Sequence, residues 1–265
     1  MSAPVVLRIQ SRDNALYKRL RRLAHGSTDY RSLRQLWVEG DHLLRAALAR
    51  GVGPVMAVFS EEFWSSAHTE YAQAATKIVV ISTPLFAQLS ALPSPVGMGF
   101  VFDLPTDATL DPWARSVVLD RLQDAGNVGA ILRSASAFGW RQIIALRGTA
   151  ALWSPKVLRA GMGAHWNLCL IEGASLADVQ ALRGPLGVTS SHQGDLLHER
   201  VRRQDLPANL NWAFGHEGQG VSAAVQALAQ LQIRIAQPGG EESLNVAAAA
   251  AICLHASATV AHGLP

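Results

Sequence analysis

The chain has 265 residues, 49% hydrophobic and only 16% charged, with a formal net charge of +3 and a pI near 9.2. That length and composition mark a compact globular protein with room for two modest domains. No apolar run reaches the roughly 18 residues that span a bilayer, and the first twenty residues lack the apolar segment of a signal peptide. The expectation is a cytoplasmic protein with no membrane partner. Two unpatterned cysteines, Cys169 and Cys253, read as reduced buried thiols, and nine histidines without ligand spacing point to no metal.

Charge is unevenly spread: residues 1 to 50 hold ten Lys and Arg against four acids, and residues 51 to 113 hold a single basic residue, Lys77. Such clustering is the electrostatic footprint of a phosphate backbone; a solvated basic helix would give the same pattern. Residues 14 to 24 read as a helix with Leu16, Leu20 and Leu23 on one face and its cations largely off it. Leu36 to Gly40 reads as a buried strand, after which Asp41 caps a helix running to Arg50. Strands at Val55 to Phe59, Lys77 to Ile81 and Met98 to Phe102 alternate with helices at Glu61 to Ala75 and Thr83 to Leu89, the signature of an α/β sandwich.

The Pro- and Asp-rich run Asp103 to Pro112 reads as a linker, which divides the chain into domains at 1–104 and 114–265 with a linker at 105–113. Beyond it, strands at 116–119, 142–146, 167–171, 187–190, 212–215 and 233–236 alternate with helices at 128–138, 155–160, 176–182 and 221–231. Repeated strand and helix units point to a parallel sheet with ligands at the carboxyl ends of its strands.

Three stretches carry candidate chemistry. Leu119 to Gly139 reads L-D-R-L-Q-D-A-G-N-V-G-A-I-L-R-S-A-S-A-F-G; in the helix opening at Asn127, apolar residues share one face and Arg133 projects from the other among Gly129, Ala130, Ser136 and Ala137. Ala213 to Ser222 reads A-F-G-H-E-G-Q-G-V-S. Its G-x-x-G-x-G spacing is not that of dinucleotide-binding folds, and no P-loop occurs, so a nucleotide-dependent oxidoreductase or ATPase is a poor candidate. Ile235 to Val246 reads I-A-Q-P-G-G-E-E-S-L-N-V and runs into five alanines. Here a strand meets a Pro-Gly-Gly turn and then a helix, expected to be buried, whose first turn carries Glu242, Ser243 and Asn245.

In order and spacing these stretches resemble the three motifs of the SpoU/TrmH family of SPOUT RNA 2'-O-ribose methyltransferases, over most of residues 117 to 258. The N-terminal part is similar to the L30e-like substrate-binding domain that some members carry. One departure is Asp124-Ala125-Gly126-Asn127, where the family has a proline after the aspartate. The resemblance implies an α/β fold with a C-terminal trefoil-knot domain, a homodimer with its active site near the subunit interface, and S-adenosylmethionine as cofactor. It assigns Gly215, Gly218, Ile235, Ser243, Leu244 and Asn245 to cofactor binding, and Asn127, Arg133, Glu217, Ser243 and Asn245 to the catalytic centre. Lys18, Arg19, Arg21, Arg22, Arg31 and Arg34 then become candidate RNA contacts. Ribosomal RNA of the large subunit is the favoured substrate, with transfer RNA as the alternative and a non-catalytic ribosome-assembly factor as a different class of function. Arg133 would act either as the family's general base or as a cationic stabiliser.

Overall fold

The computed structural model describes residues 6–67, 69–190, 193–239 and 243–262. The chain forms two compact units, one from Met1–Thr106 with Trp153–Trp166 and one from Asp107–Leu152 with Asn167–Pro265. A linear division of the sequence does not anticipate that the 153–166 segment joins the first unit.

The first unit contains β1 (Val6–Ile9), α1 (Ala15–His25), α2 (Asp29–Leu33), β2 (Gln35–Glu39), α3 (Asp41–Leu48), β3 (Met56–Ser60), α4 (Glu61–Ala67), α5 (Thr69–Ala72), β4 (Lys77–Ile81), α6 (Thr83–Leu89) and β5 (Met98–Asp103). Its strands are ordered β1-β4-β3-β5-β2, and β5 runs antiparallel to both neighbours. The Asn14 side chain caps α1 by accepting from the Leu16 and Tyr17 N–H groups, and Tyr17 Oη donates to the Leu85 carbonyl at 3.1 Å, tying α1 to α6. Two readings change here. Asp41 is the first residue of α3 and the cap is Gly40 at φ 92°, a backbone angle that suits glycine. The helix expected over Glu61 to Ala75 is two shorter ones.

The second unit is built from β6 (Ser116–Asp120), α7 (Ala125–Ala137), β7 (Gln142–Leu146), β8 (Cys169–Ala174), α9 (Leu176–Gln180), β9 (Leu186–Thr189), β10 (Asp195–Leu196), α10 (Leu197–Arg203), β11 (Asn211–Gly215), α11 (Ala223–Gln226), β12 (Leu231–Arg234) and α12 (Val246–His262); α8 (Pro155–Gly161) lies in the first unit. Among the described residues its sheet is seven-stranded and parallel, ordered β10-β12-β9-β11-β6-β7-β8. β11 lies between β9 and β6, and β12 between β10 and β9, so two late strands fill positions between strands laid down earlier. Successive residues of β11 serve opposite faces of the sheet, as the two-residue strand period requires. Ala213 joins Val118, Ile144, Val188, Val221 and Val225 in one apolar cluster. Trp212 instead stacks on Phe214 and donates through Nε1 to Ser257 Oγ of α12 at 3.0 Å.

Several boundaries move. α7 begins at Ala125 because Asp124 accepts the Asn127 N–H and serves as its cap. β10 and α10 are additional elements, α11 is one turn capped by Ser222, and β12 ends at Arg234 rather than Ala236. α12 is half covered: Ala250, Cys253, Leu254, Ser257 and Ala258 are buried, whereas Ala248, Ile252 and His255 are exposed. Cys253 is buried as expected, but Cys169 is only half-buried, with its thiol on the Thr109 carbonyl.

At the amino ends of β6, β9 and β11, Asn211 accepts the Ser116 N–H at 2.8 Å and donates to the Gly184 carbonyl at 3.0 Å while 1% exposed. Asn211→Ala strands these groups without water or protein partners. It should lower unfolding free energy by about 2 kcal/mol, the scale of an unsatisfied buried group, measured as a lower urea midpoint at unchanged slope.

Candidate active site

The carboxyl ends of β9, β11 and β12 open onto a cavity of about 420 Å³, walled by Thr189, Ser190, residues Gly215 to Val221, Ile235, Gln237, Ser243, Leu244 and parts of α11 and α12. This is where an open parallel sheet places ligands. β11 ends at Gly215, and a Cβ there would run into the backbone of Gly220 and Val221, so the loop can fold back over the strand end only above a glycine. Three bonds hold that loop. The Gly220 N–H donates to the His216 carbonyl at 2.8 Å, and His216 Nδ1 accepts from the Gly218 and Gln219 N–H groups at 3.0 and 3.3 Å. An accepting Nδ1 puts the ring proton on Nε2.

Asn127 joins the three motif stretches. Its Nδ2 donates to Glu217 Oε1 at 3.2 Å, and its Oδ1 accepts from Asn245 Nδ2 at 2.9 Å. Asn245 Oδ1 in turn accepts from the Ala247 and Ala248 N–H groups, so it is Asn245 that caps α12. Ser243 and Asn245 thus precede the helix instead of standing in its first turn; the calls on Gly240, Glu241 and Glu242 lie outside the described residues. The Glu217 carboxylate also accepts the Asp124 N–H at 3.2 Å and the Gln123 N–H at 3.4 Å. Partial burial alone would raise its pKa. Hydrogen bonds from its own N–H, from the Asn127 side chain and from the Asp124 and Gln123 N–H groups outweigh that and hold the carboxyl below its ordinary value.

Arg133 stands exposed on α7, outside the residues that line the cavity. Among the described residues its guanidinium has no hydrogen-bond or ion-pair partner. Gly129 is buried, so the small-residue face around Arg133 is narrower than the spacing suggested. Sequence reasoning passed over Asp120, which is 2% exposed at the end of β6 and accepts the Ser222 N–H at 2.6 Å and Arg121 Nε at 3.1 Å. The signal was an acid directly after the apolar run Val117-Val118-Leu119. His216 and Gln237 were likewise passed over.

In the first unit the basic residues have diverse environments. Lys18 pairs with Asp13 at 2.9 Å and Arg22 with Asp29 at 2.5 Å. Arg19 donates to the Leu33 carbonyl and to Gln35, and Arg31 lies over the Tyr30 ring. Arg21 and Arg34 are exposed with no side-chain partner among the described residues, Arg34 in the left-handed region at φ 56°.

Residues 114–255 match the SpoU rRNA methylase family. The chain belongs to that family. Over 93% of its length it is 32% identical to an uncharacterised tRNA/rRNA methyltransferase from Synechocystis, covering 92% of that protein. It is 28% identical over the same share to the 23S rRNA (guanosine(2553)-2'-O)-methyltransferase RlmP of Bacillus subtilis, covering 97% of it. A putative RNA methyltransferase of the TrmH family from Porphyromonas gingivalis superposes with a TM-score of 0.76 at 29% identity, over 92% of this chain and 97% of the other. The SpoU assignment covers the unit that holds the cavity, and the full-length likeness extends to the N-terminal unit as well.

Because its folded pKa is depressed, the stability Glu217 contributes in this SpoU family member is present above the unfolded value of 4.5 and is lost as pH falls through the folded one. A carbon-13 titration should place the Glu217 midpoint below 4.5. Asn127→Ala should move it upward by removing the one side-chain donor; an unmoved midpoint would show that Asn127 does not hold the carboxylate.

Proposed function

We propose that this protein is an S-adenosylmethionine-dependent methyltransferase that modifies a ribose 2'-hydroxyl in structured RNA, with 23S ribosomal RNA as substrate. One observation carries the reading. The three motif stretches meet at a single cavity, where Asn127, Glu217 and Asn245 form one hydrogen-bonded chain. The name of the RlmP relative favours ribosomal over transfer RNA.

The cavity suits such a cofactor. Its volume falls within the roughly 300–1,000 Å³ of small-molecule sites. Among the described lining residues the ionisable side chains, His216 and Glu217, are committed to hydrogen bonds. The remaining walls are glycine backbone, hydroxyls, amides and apolar groups. Gly215, Gly218, Ile235 and Leu244 would hold the cofactor largely through backbone groups, with Ser243 and Asn245 shaping the pocket edge. S-adenosylmethionine, when bound, supplies a methyl group already activated by its positive sulfur, which leaves alignment and proton removal to the protein. Asn127 and Glu217 fix the start of α7 against the cavity loop. Arg133, cationic as guanidinium groups in proteins are, donates hydrogen bonds to the developing 2'-oxyanion and an adjacent phosphate. A water or neighbouring group takes the proton.

The same reading gives the C-terminal unit a trefoil knot, which the placement of β11 and β12 between earlier strands supports. It divides the chain into an L30e-like RNA-binding domain at 1–104, a linker at 105–113 and the catalytic domain from 114. It makes the active protein a cytoplasmic homodimer that uses no metal. The exposed α12 face, with Ile252 41% accessible, offers an apolar surface for the second subunit, and Arg133, standing outside the cavity wall of its own chain, fits an active site completed near that interface.

Methylation of a ribose 2'-oxygen removes the nucleophile of alkaline cleavage. Purified protein, labelled S-adenosylmethionine and RNA from a deletion strain should therefore give label confined to alkali-resistant dinucleotides in the ribosomal fraction. Label on free bases would contradict ribose transfer, and label in transfer RNA alone would change the substrate. In this assay Arg133→Ala should slow methyl transfer by about 10² or more, the scale of losing one transition-state donor, with cofactor affinity unchanged.

RNA affinity offers a separate check on the N-terminal unit. Replacing Arg21 and Arg34 by alanine together should flatten the dependence of log affinity on log salt by roughly one unit per lost phosphate contact. An unchanged slope would mark both as solvated charges.

A further inference from the structure

Gln237 follows β12 by three residues and lines the cavity together with Ile235, Ser243 and Leu244. Its side-chain Oε1 is buried without a hydrogen-bond partner, and among the described residues nothing engages the other end of the amide. The cavity's two other glutamine side chains are committed: Gln226 donates to the Val221 carbonyl at 2.7 Å and Gln219 accepts from Arg121 at 3.4 Å. A buried carboxamide left unpaired is costly. Exchanging its oxygen and nitrogen only moves the deficit from one end to the other, so a ligand with both a donor and an acceptor is what completes the site.

We propose that Gln237 is the residue that recognises the adenine base of the cofactor, its carbonyl accepting from the 6-amino group and its NH₂ donating to the adjacent ring nitrogen. A carboxamide matches that donor and acceptor pair in a single plane, as Asn and Gln do when they read adenine in nucleic acids. Apolar Ile235 and Leu244 in the same wall provide surface for the faces of a planar base. No backbone group can offer a donor and an acceptor from one rigid plane at this spacing, which gives the side chain a role separate from that of the glycines around it. The assignment rests on reading the cavity as the S-adenosylmethionine site.

The test is calorimetric binding of S-adenosylhomocysteine and of its analogue with hydrogen in place of the 6-amino group, to the full-length protein and to Gln237→Met, an unbranched side chain of similar length without the amide. The wild type should bind the analogue about tenfold more weakly than S-adenosylhomocysteine. Gln237→Met should bind S-adenosylhomocysteine about tenfold more weakly than wild type and no longer distinguish the two ligands. A thermal melt of the variant matching the wild type assigns that loss to recognition rather than folding. Wild-type affinity in Gln237→Met, or a preference for the amino group that survives the substitution, overturns the role of Gln237 alone. Failure of the wild type to bind S-adenosylhomocysteine overturns the cofactor reading and this proposal with it.

Discussion

The second unit depends on one carboxamide. Asn127 uses both ends of its side chain across 90 and 118 residues of sequence, donating to Glu217 and accepting from Asn245. Neither bond is strong by itself, since a neutral hydrogen bond contributes on the order of 1 kcal/mol net. Their value is geometric. A single planar group sets the start of α7, the loop after β11 and the cap of α12 in one arrangement, and each of its partners carries further bonds that would be misplaced if Asn127 moved. Glu217 reaches back to two backbone N–H groups before α7, and Asn245 reaches forward to two at the start of α12.

Around that junction the sheet supplies rigidity and the glycines supply access. Fully buried strands β6, β7 and β11 fix where their carboxyl ends emerge, and the polar groups at those ends are satisfied locally. Asp120 takes the Ser222 N–H, and His216 takes two N–H groups of its own loop. Gly215 lets the loop return over the strand, so the cavity wall is backbone instead of side chain. A wall made of backbone can be specific for shape but has few ways to discriminate one base from another, and side chains such as Gln237 matter there out of proportion to their number.

Much of the fold was legible from the sequence because its strands are short apolar runs bounded by turn residues. Lys77–Ile81, Thr83–Leu89 and Gln142–Leu146 fall where periodicity puts them. The errors have physical causes. β10 has two residues and α10 is highly charged, so neither carries an apolar period strong enough to be seen. Apolar residues in Val221 to Leu231 extend past the one turn that is helical, because Ser222 caps late and the chain must leave for β12. At the site, the motif spacing marked Asn127, Glu217 and Asn245 as belonging together, and geometry joins them. What spacing could not give is which of two good caps, Ser243 or Asn245, holds the helix, since that depends on which side chain reaches the free N–H groups. The alanine run suggested a helix buried all round; the sequence carries no direct mark of the exposed stripe at Ala248, Ile252 and His255.

The insertion of β11 and β12 between older neighbours also constrains how the unit can be made. As the chain leaves the ribosome, β6, β7 and β8 can pair in order, but β9 emerges with no adjacent partner: its neighbours in the finished sheet, β11 and β12, have yet to be synthesised. The pairs that close the gap join residues far apart in sequence, such as Trp212 with Val117, and contacts of that separation form slowly because the entropy of closing the loop is lost before any contact compensates it. Until residue 234 is available the sheet remains two fragments with open edges, the kind of surface that chaperones shield. Synthesis rate and chaperone supply therefore bear on the yield of this protein more than its modest size would suggest.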